Sequence, residues 1–204
     1  MKANSGLRSD MKKRKQQRRG LWVALIAVLC VAGAFFTKDL VRALEHAAYP
    51  HDYAPDVRQY AAQYGIEENM IYAVIRTESG FDSHAESDAG ARGLMQITNE
   101  TFEWIKSKIA PDETIAFDDL YDPQTNIRFG AYLLSVCLDR YGGDLSTAAA
   151  AYHSGMGLVD SLLAQPEYSA DGTTLSTFPY QQMNRYVYKI NESYRKYCEI
   201  YAEE

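Results

Sequence analysis

"IYAVIRTESGF", residues 71–81, decides how this chain is read. Ile71, Val74, Ile75 and Glu78 fall at i, i+3, i+4 and i+7, the spacing of one helical stripe. Gly80 follows as a candidate C-cap, which places Glu78 in the last turn. A carboxylate is ill-placed there twice over, because it faces the core and sits at the negative end of the helix dipole. Both effects disfavour the ionised form and raise the pKa. A carboxyl that keeps its proton near neutrality suits a general acid. The stripe alone also allows a structural acid satisfied by the helix end.

Outward from this stretch the pattern stays helical with short punctuation. "PDVRQYAAQYG" opens with Pro55 near N1 and stops at Gly65, and "EENMIYAVIRTESG" carries Glu78. "SHAESDAGARG" is rich in small and turn residues and reads as a loop. "TNETFEWIKSK" has a start like a capping box. "DPQTNIRFGAYLLSVCLDRYGG" has an Asp122 cap, Pro123 at N1 and a Gly142-Gly143 stop. "DLSTAAAAYHSG" and "GLVDSLLAQ" are short helices, "SADGTTLSTFP" is a loop, and residues 180–202 form a Tyr-rich terminal helix. No stretch alternates with period two between hairpin turns, so the fold class is all-α.

Charge divides the chain. Residues 1–20 hold eight Lys or Arg against Asp10, or +7, so the net −6 leaves −13 on residues 21–204. So acidic a body is poorly suited to nucleic acid, whose binding depends on phosphate neutralisation. The basic segment is instead read with "LWVALIAVLCVAGAFF", residues 21–36, sixteen residues without a charge. Such a run is short for a spanning helix of ~20 residues and long for a signal-peptide core of roughly 7–15. The N-terminal cations keep residues 1–20 in the cytoplasm, so residues 37–204 end outside it. The favoured division is a basic cytoplasmic segment 1–20, a signal anchor 21–37, a stalk 38–54 and a catalytic domain 55–204. Secretion after cleavage near Ala32-Gly33-Ala34 is the alternative. Cys137 and Cys198 fit either one disulfide or two core thiols, and no Cys/His spacing suggests a metal site. No cofactor is expected.

The run "ESGFDSHAESDAGARGLMQ", residues 78–96, resembles the signature of the soluble-lytic, lysozyme-like lytic transglycosylases. Glu78, Ser79, Phe81, Ala85, Ser87, Gly90, Ala91, Gly93, Leu94, Met95 and Gln96 match it without a gap. "NIRFGAYLL" (126–134), "AAAAYHSGMGLV" (148–159) and "FPYQQMNRYV" (178–187) resemble the family's later segments, so the likeness covers roughly residues 55–190. It implies a lysozyme-like helical fold whose partner is the peptidoglycan glycan strand, which with the anchor reading of residues 21–37 places the protein at the bacterial cell membrane. It also implies cleavage of the β-1,4 bond between MurNAc and GlcNAc to a 1,6-anhydro-muramoyl end.

The resemblance makes Glu78 the acid/base. Ser87 would touch the lactyl or peptide-bearing side of the sugar, and Gln96 would hydrogen-bond substrate beside Met95. Tyr152 would place its hydroxyl near Glu78 to orient it, with Tyr186 packed beneath. Three places depart from the pattern: His153-Ser154 replaces Asn-Ala, Thr98-Asn99 replaces Met-Pro, and Gln182-Met183 replaces Glu-Thr. Thr98, His153 and Gln182 therefore stand where the family contacts substrate, with altered chemistry. Two other readings remain. A hydrolytic muramidase of goose-lysozyme type needs a water-positioning carboxylate, for which Asp82, Glu86 and Asp88 are candidates. A non-catalytic peptidoglycan-binding module needs none.

Overall fold

The computed structural model describes residues 36–202, together with Trp22 and Gly33. The basic segment 1–20 and nearly all of the apolar run lie outside the described residues. The chain divides into two compact units, Met1–Ala48 and Tyr49–Glu204. In the first, residues 36–48 are helical. No helix among the described residues is long and apolar enough to cross a membrane.

The second unit is built from helices α1 (Ala54–Tyr64), α2 (Glu68–Glu78), α3 (Asn99–Ile109), α4 (Pro123–Arg140), α5 (Leu145–Ser154), α6 (Met156–Leu163) and α7 (Gln181–Ile200). A 3-10 turn, Phe117–Tyr121, precedes α4, and the described residues contain no strand. Local chemistry sets most of the ends. The Asp122 carboxylate accepts from Thr125 N at 2.9 Å, with Pro123 behind it at N1, and Asp144 accepts from Thr147 N at 2.7 Å. Gly65 stops α1 in the left-handed region at φ 67°, which an L side chain reaches only with strain.

Helix α4 runs through the middle and is buried on almost every side, from Asn126 and Ile127 to Cys137 and Leu138. Around it pack α1, α3, α5 and the 3-10 turn, while α7 lies across α2 and α5. Phe102 of α3 stacks on Phe129 of α4 with centroids 5.2 Å apart, closing the core between those helices.

Residues 49–54, assigned by sequence to the stalk, pack into the folded unit. His51 is stacked between Tyr72 and Tyr201, at 4.3 and 3.4 Å between ring centroids. The Tyr197 and Tyr201 hydroxyls donate to the carbonyls of Pro50 and Tyr49. Cys137 is buried and Cys198 half-buried, and both are free thiols.

Candidate active site

Ile71, Val74 and Ile75 are buried as the stripe requires, and Glu78 is the last residue of α2. The cap is Ser79 rather than Gly80: its N–H and hydroxyl both reach the Ile75 carbonyl, at 3.0 and 3.2 Å. The chain then reverses sharply, with Phe81 at φ 73° and its N–H donating to Ser79 Oγ. A left-handed phenylalanine costs of order 1–2 kcal/mol, so the surrounding packing must impose it.

The Glu78 carboxyl accepts a hydrogen bond from the Tyr186 hydroxyl of α7 at 2.7 Å. Burial pushes its pKa up from 4.5 to about 7, against the opposing pull of that hydrogen bond. The site therefore holds a carboxyl that exchanges its proton near neutrality. Tyr186 is itself held well above its ordinary pKa, by burial first and then by the charge of Glu78, so it acts as a fixed donor.

The two tyrosines exchange the places expected of them. Tyr186, expected beneath the site, is the one bonded to Glu78. The Tyr152 hydroxyl instead donates to the Met95 carbonyl at 2.8 Å. It still lies within electrostatic reach of Glu78, whose charge adds to the upward shift that burial gives Tyr152. His153, next on α5, stacks on the Tyr186 ring with centroids 4.4 Å apart and planes 13° from parallel. Burial of its inner face lowers the imidazole pKa, so it stays neutral at pH 7. Tyr186, His153 and Glu78 thus form one contiguous group.

The motif loop after Glu78 is organised by backbone. Arg92 bridges to Glu86 on one side and Ile97 on the other. Its guanidinium lies over the Phe117 ring and pairs with Asp118 and Glu86. The fully buried Asn126 of α4 ties the loop down: its Oδ1 accepts from Met95 N at 2.8 Å, and its Nδ2 donates to the Arg92 and Leu120 carbonyls. A methyl group on Gly93 would stand 2.2 Å from Asn126 Nδ2 and from the Leu120 carbonyl. No side chain fits there.

The expected substrate contacts separate into two groups. Met95 is a correction: its side chain is completely buried against Gly130 of α4, where apolar contact stabilises it, and it offers substrate no surface. Thr98 caps α3 through Thr101 N, and Ser87 accepts from Ala91 N to close its own turn. Gln96, at φ 50°, spends its amide donors on the Ala85 and Gly93 carbonyls. Ser87 and Gln182 are exposed. Sequence reasoning missed the roles of Asn126 and Arg92, because the bonds that join the loop to α4 and to the 3-10 turn span 26 to 34 residues.

Two clefts lie at opposite ends of α2. One of about 340 Å3 runs along the α2/α7 seam between Tyr49, Arg76, Thr77, Tyr188 and Lys189. The other, of about 420 Å3, lies between the α1–α2 turn and the end of α4. Glu78 lines neither, and is set apart by its hydrogen bond and its raised pKa. Among the described residues no group of three or more His, Cys, Asp or Glu is placed to hold a metal ion.

A family model described as the transglycosylase SLT domain matches residues 56–172. Among curated proteins, "Membrane-bound lytic murein transglycosylase C" of Yersinia pestis and of Yersinia pseudotuberculosis are each 31% identical over 171 residues. Each alignment covers 72% of this chain and 47% of the relative, so the chain spans about half the length of those proteins. Among solved structures, the 70-kDa soluble lytic transglycosylase of Escherichia coli aligns with TM-score 0.69 at 23% identity, covering 77% of this chain and 26% of that one. An inactive mutant of lytic transglycosylase Slt from Pseudomonas aeruginosa aligns with TM-score 0.65 at 24% identity, over 78% and 26%. At such identities the likeness speaks for the fold.

Proposed function

The chain belongs to the transglycosylase SLT domain family, and on that premise we propose that it is a peptidoglycan lytic transglycosylase with Glu78 as its single acid/base. The observation that carries this reading is the half-buried Glu78 carboxyl, held by Tyr186 and titrating at about pH 7.

A retaining glycosidase ordinarily uses two carboxyl groups, one as acid/base and one as nucleophile. In a transglycosylase the substrate takes the second role. Protonated Glu78 gives its proton to the glycosidic oxygen between MurNAc and GlcNAc as that bond breaks. The muramoyl N-acetyl oxygen stabilises the anomeric carbon, and the C6 hydroxyl then attacks that carbon. The carboxylate takes the C6 proton and is restored. Tyr186 favours the ionised state between the two transfers, while burial favours the protonated state before them. Their balance near neutrality lets one group serve in both directions.

Gln96, Ser87, Thr98, Tyr152, His153 and Gln182 are proposed as the substrate-facing or site-shaping residues. Tyr152 acts by holding the Met95 backbone. Of the three carboxylates open to a hydrolytic rival, Glu86 is engaged by Tyr121 and Arg92, and Asp82 by the His84 N–H. A purely binding module gains nothing from a buried acid that destabilises its own fold above its pKa. We also propose that residues 1–20 lie in the cytoplasm, that 21–37 anchor the chain and that the folded unit works outside the membrane.

The test is mass analysis of fragments released from purified peptidoglycan. Wild type is expected to give anhydro-ended muropeptides, lighter by one water than hydrolysis products, and Glu78→Gln to give essentially none. Reducing ends would establish a muramidase instead. Equal release by both proteins would remove Glu78 from the mechanism.

A further inference from the structure

Residues 36–48 form a helix whose two faces differ sharply. At 100° per residue, Phe36, Leu40, Val41, Ala43, Leu44, Ala47 and Ala48 share one arc, with Thr37 its single polar member. Lys38, Asp39, Arg42, Glu45 and His46 occupy the opposite one, where Arg42 Nε donates to His46 Nε2 at 3.4 Å, one turn on. The apolar arc is open: Phe36 is 70% exposed, Leu44 61%, Val41 52% and Leu40 48%. Four large apolar side chains aligned over three turns form a patch that water disfavours.

We propose that this arc rests in the outer headgroup–acyl boundary of the membrane, holding residues 36–48 against the lipid surface. The inference rests on the anchor reading of residues 21–37. Two observations choose lipid as the occupant. First, the described helical residues 36–48 start at Phe36, the last residue of the sixteen-residue uncharged run, so an anchored run delivers them directly to the bilayer surface. Second, sixteen residues written as a helix reach about 24 Å, short of the ~30 Å hydrocarbon core. The arc from Phe36 to Leu44 supplies the missing apolar contact on one side, while Lys38 and Arg42 stay on the wet side. A large apolar arc opposite a charged one is the pattern of an interfacial helix.

An environment-sensitive nitrobenzoxadiazole label distinguishes the occupants. It is placed at Leu44→Cys or at Glu45→Cys in the full chain, on a Cys30→Ser, Cys198→Ser background that leaves only the buried Cys137. The chain is reconstituted in phosphatidylethanolamine/phosphatidylglycerol vesicles with and without brominated acyl chains. Bromolipid is expected to quench the Leu44 label at least threefold more than the Glu45 label. Equal, weak quenching at both positions in chain that floats with the vesicles overturns the proposal and leaves the anchor standing. A Leu44 label that is shielded without lipid quenching, in a protein whose unlabelled Leu44→Cys form gives disulfide-linked dimers on oxidation, assigns the arc to a second copy, and also overturns it. Chain that does not float at all overturns the anchor reading and this inference together.

Discussion

Tyr186 donates a 2.7 Å hydrogen bond to Glu78, the proposed acid/base, and its consequences have definite signs. The bond favours the charged carboxylate, so Tyr186→Phe should raise the Glu78 pKa further. The alkaline limb of the activity profile should then move upward by about one unit, the worth of a hydrogen bond to a charged group. A limb that stays put or moves toward acid would contradict the assignment. Stability carries the same information. The folded pKa of about 7 exceeds the ordinary 4.5, so the native state holds this proton more tightly than the unfolded chain. The cost of ionising Glu78 is absent below pH 4.5 and accrues as pH rises through 7. Glu78→Gln, which stays neutral, should therefore be more stable than wild type at pH 8, by at most about 3 kcal/mol since the group is only partly buried. Urea unfolding at pH 4 and pH 8 should show that advantage vanishing at the lower value. The position of Glu78 was legible in the sequence because a stripe and a helix stop fix it locally. Its partner was not: sixteen tyrosines offer no spacing that tells which hydroxyl crosses from another helix.

At the scale of elements, the helices follow from local signals and the motif loop does not. Asp122, Asp144 and Gly65 announce their ends through bonds spanning five residues or fewer. The loop instead depends on Asn126, whose amide satisfies two backbone groups of the loop 31 and 34 residues away and a third in the adjoining 3-10 turn. Asn126→Ala leaves those groups buried and unpaired, and should cost about 3 kcal/mol or more in denaturant unfolding. Amide exchange at Met95 should quicken with it. Two glycines make a matched comparison. Both Gly80 and Gly93 have positive φ, but a methyl group at Gly80 meets nothing within 4 Å, whereas at Gly93 it strikes backbone and the Asn126 amide at 2.2 Å. Gly80→Ala should cost about 1 kcal/mol. Gly93→Ala should cost several times more and disorder the site with it. Equal costs would mean that the loop is not held against α4 as described.

At the scale of the whole molecule, the all-helical reading holds among the described residues, whose long segments carry period 3.6. The packing of residues 49–54 escaped notice because they lack a periodic pattern, and it is contacts with Tyr72, Arg76, Tyr197 and Tyr201 that make them part of the folded unit. The cysteines left two options from sequence, and the fold separates them. Cys137 is sealed in α4, where burial pushes its thiol up to about 12, while Cys198 is half-buried and accepts from Asn69 Nδ2 at 3.5 Å. In the native protein an alkylating reagent should modify Cys198 well before Cys137, with Cys137 reacting only on unfolding. A mass deficit of two hydrogens that disappears on reduction would contradict this.

The most direct test of the central claim is a carbon-detected NMR titration of the Glu78 side-chain carboxyl in the folded chain. A midpoint near pH 7, rising in Tyr186→Phe, is the predicted result. A midpoint at the ordinary 4.5, unmoved by loss of the tyrosine hydroxyl, would mean that residue 78 carries no proton to give.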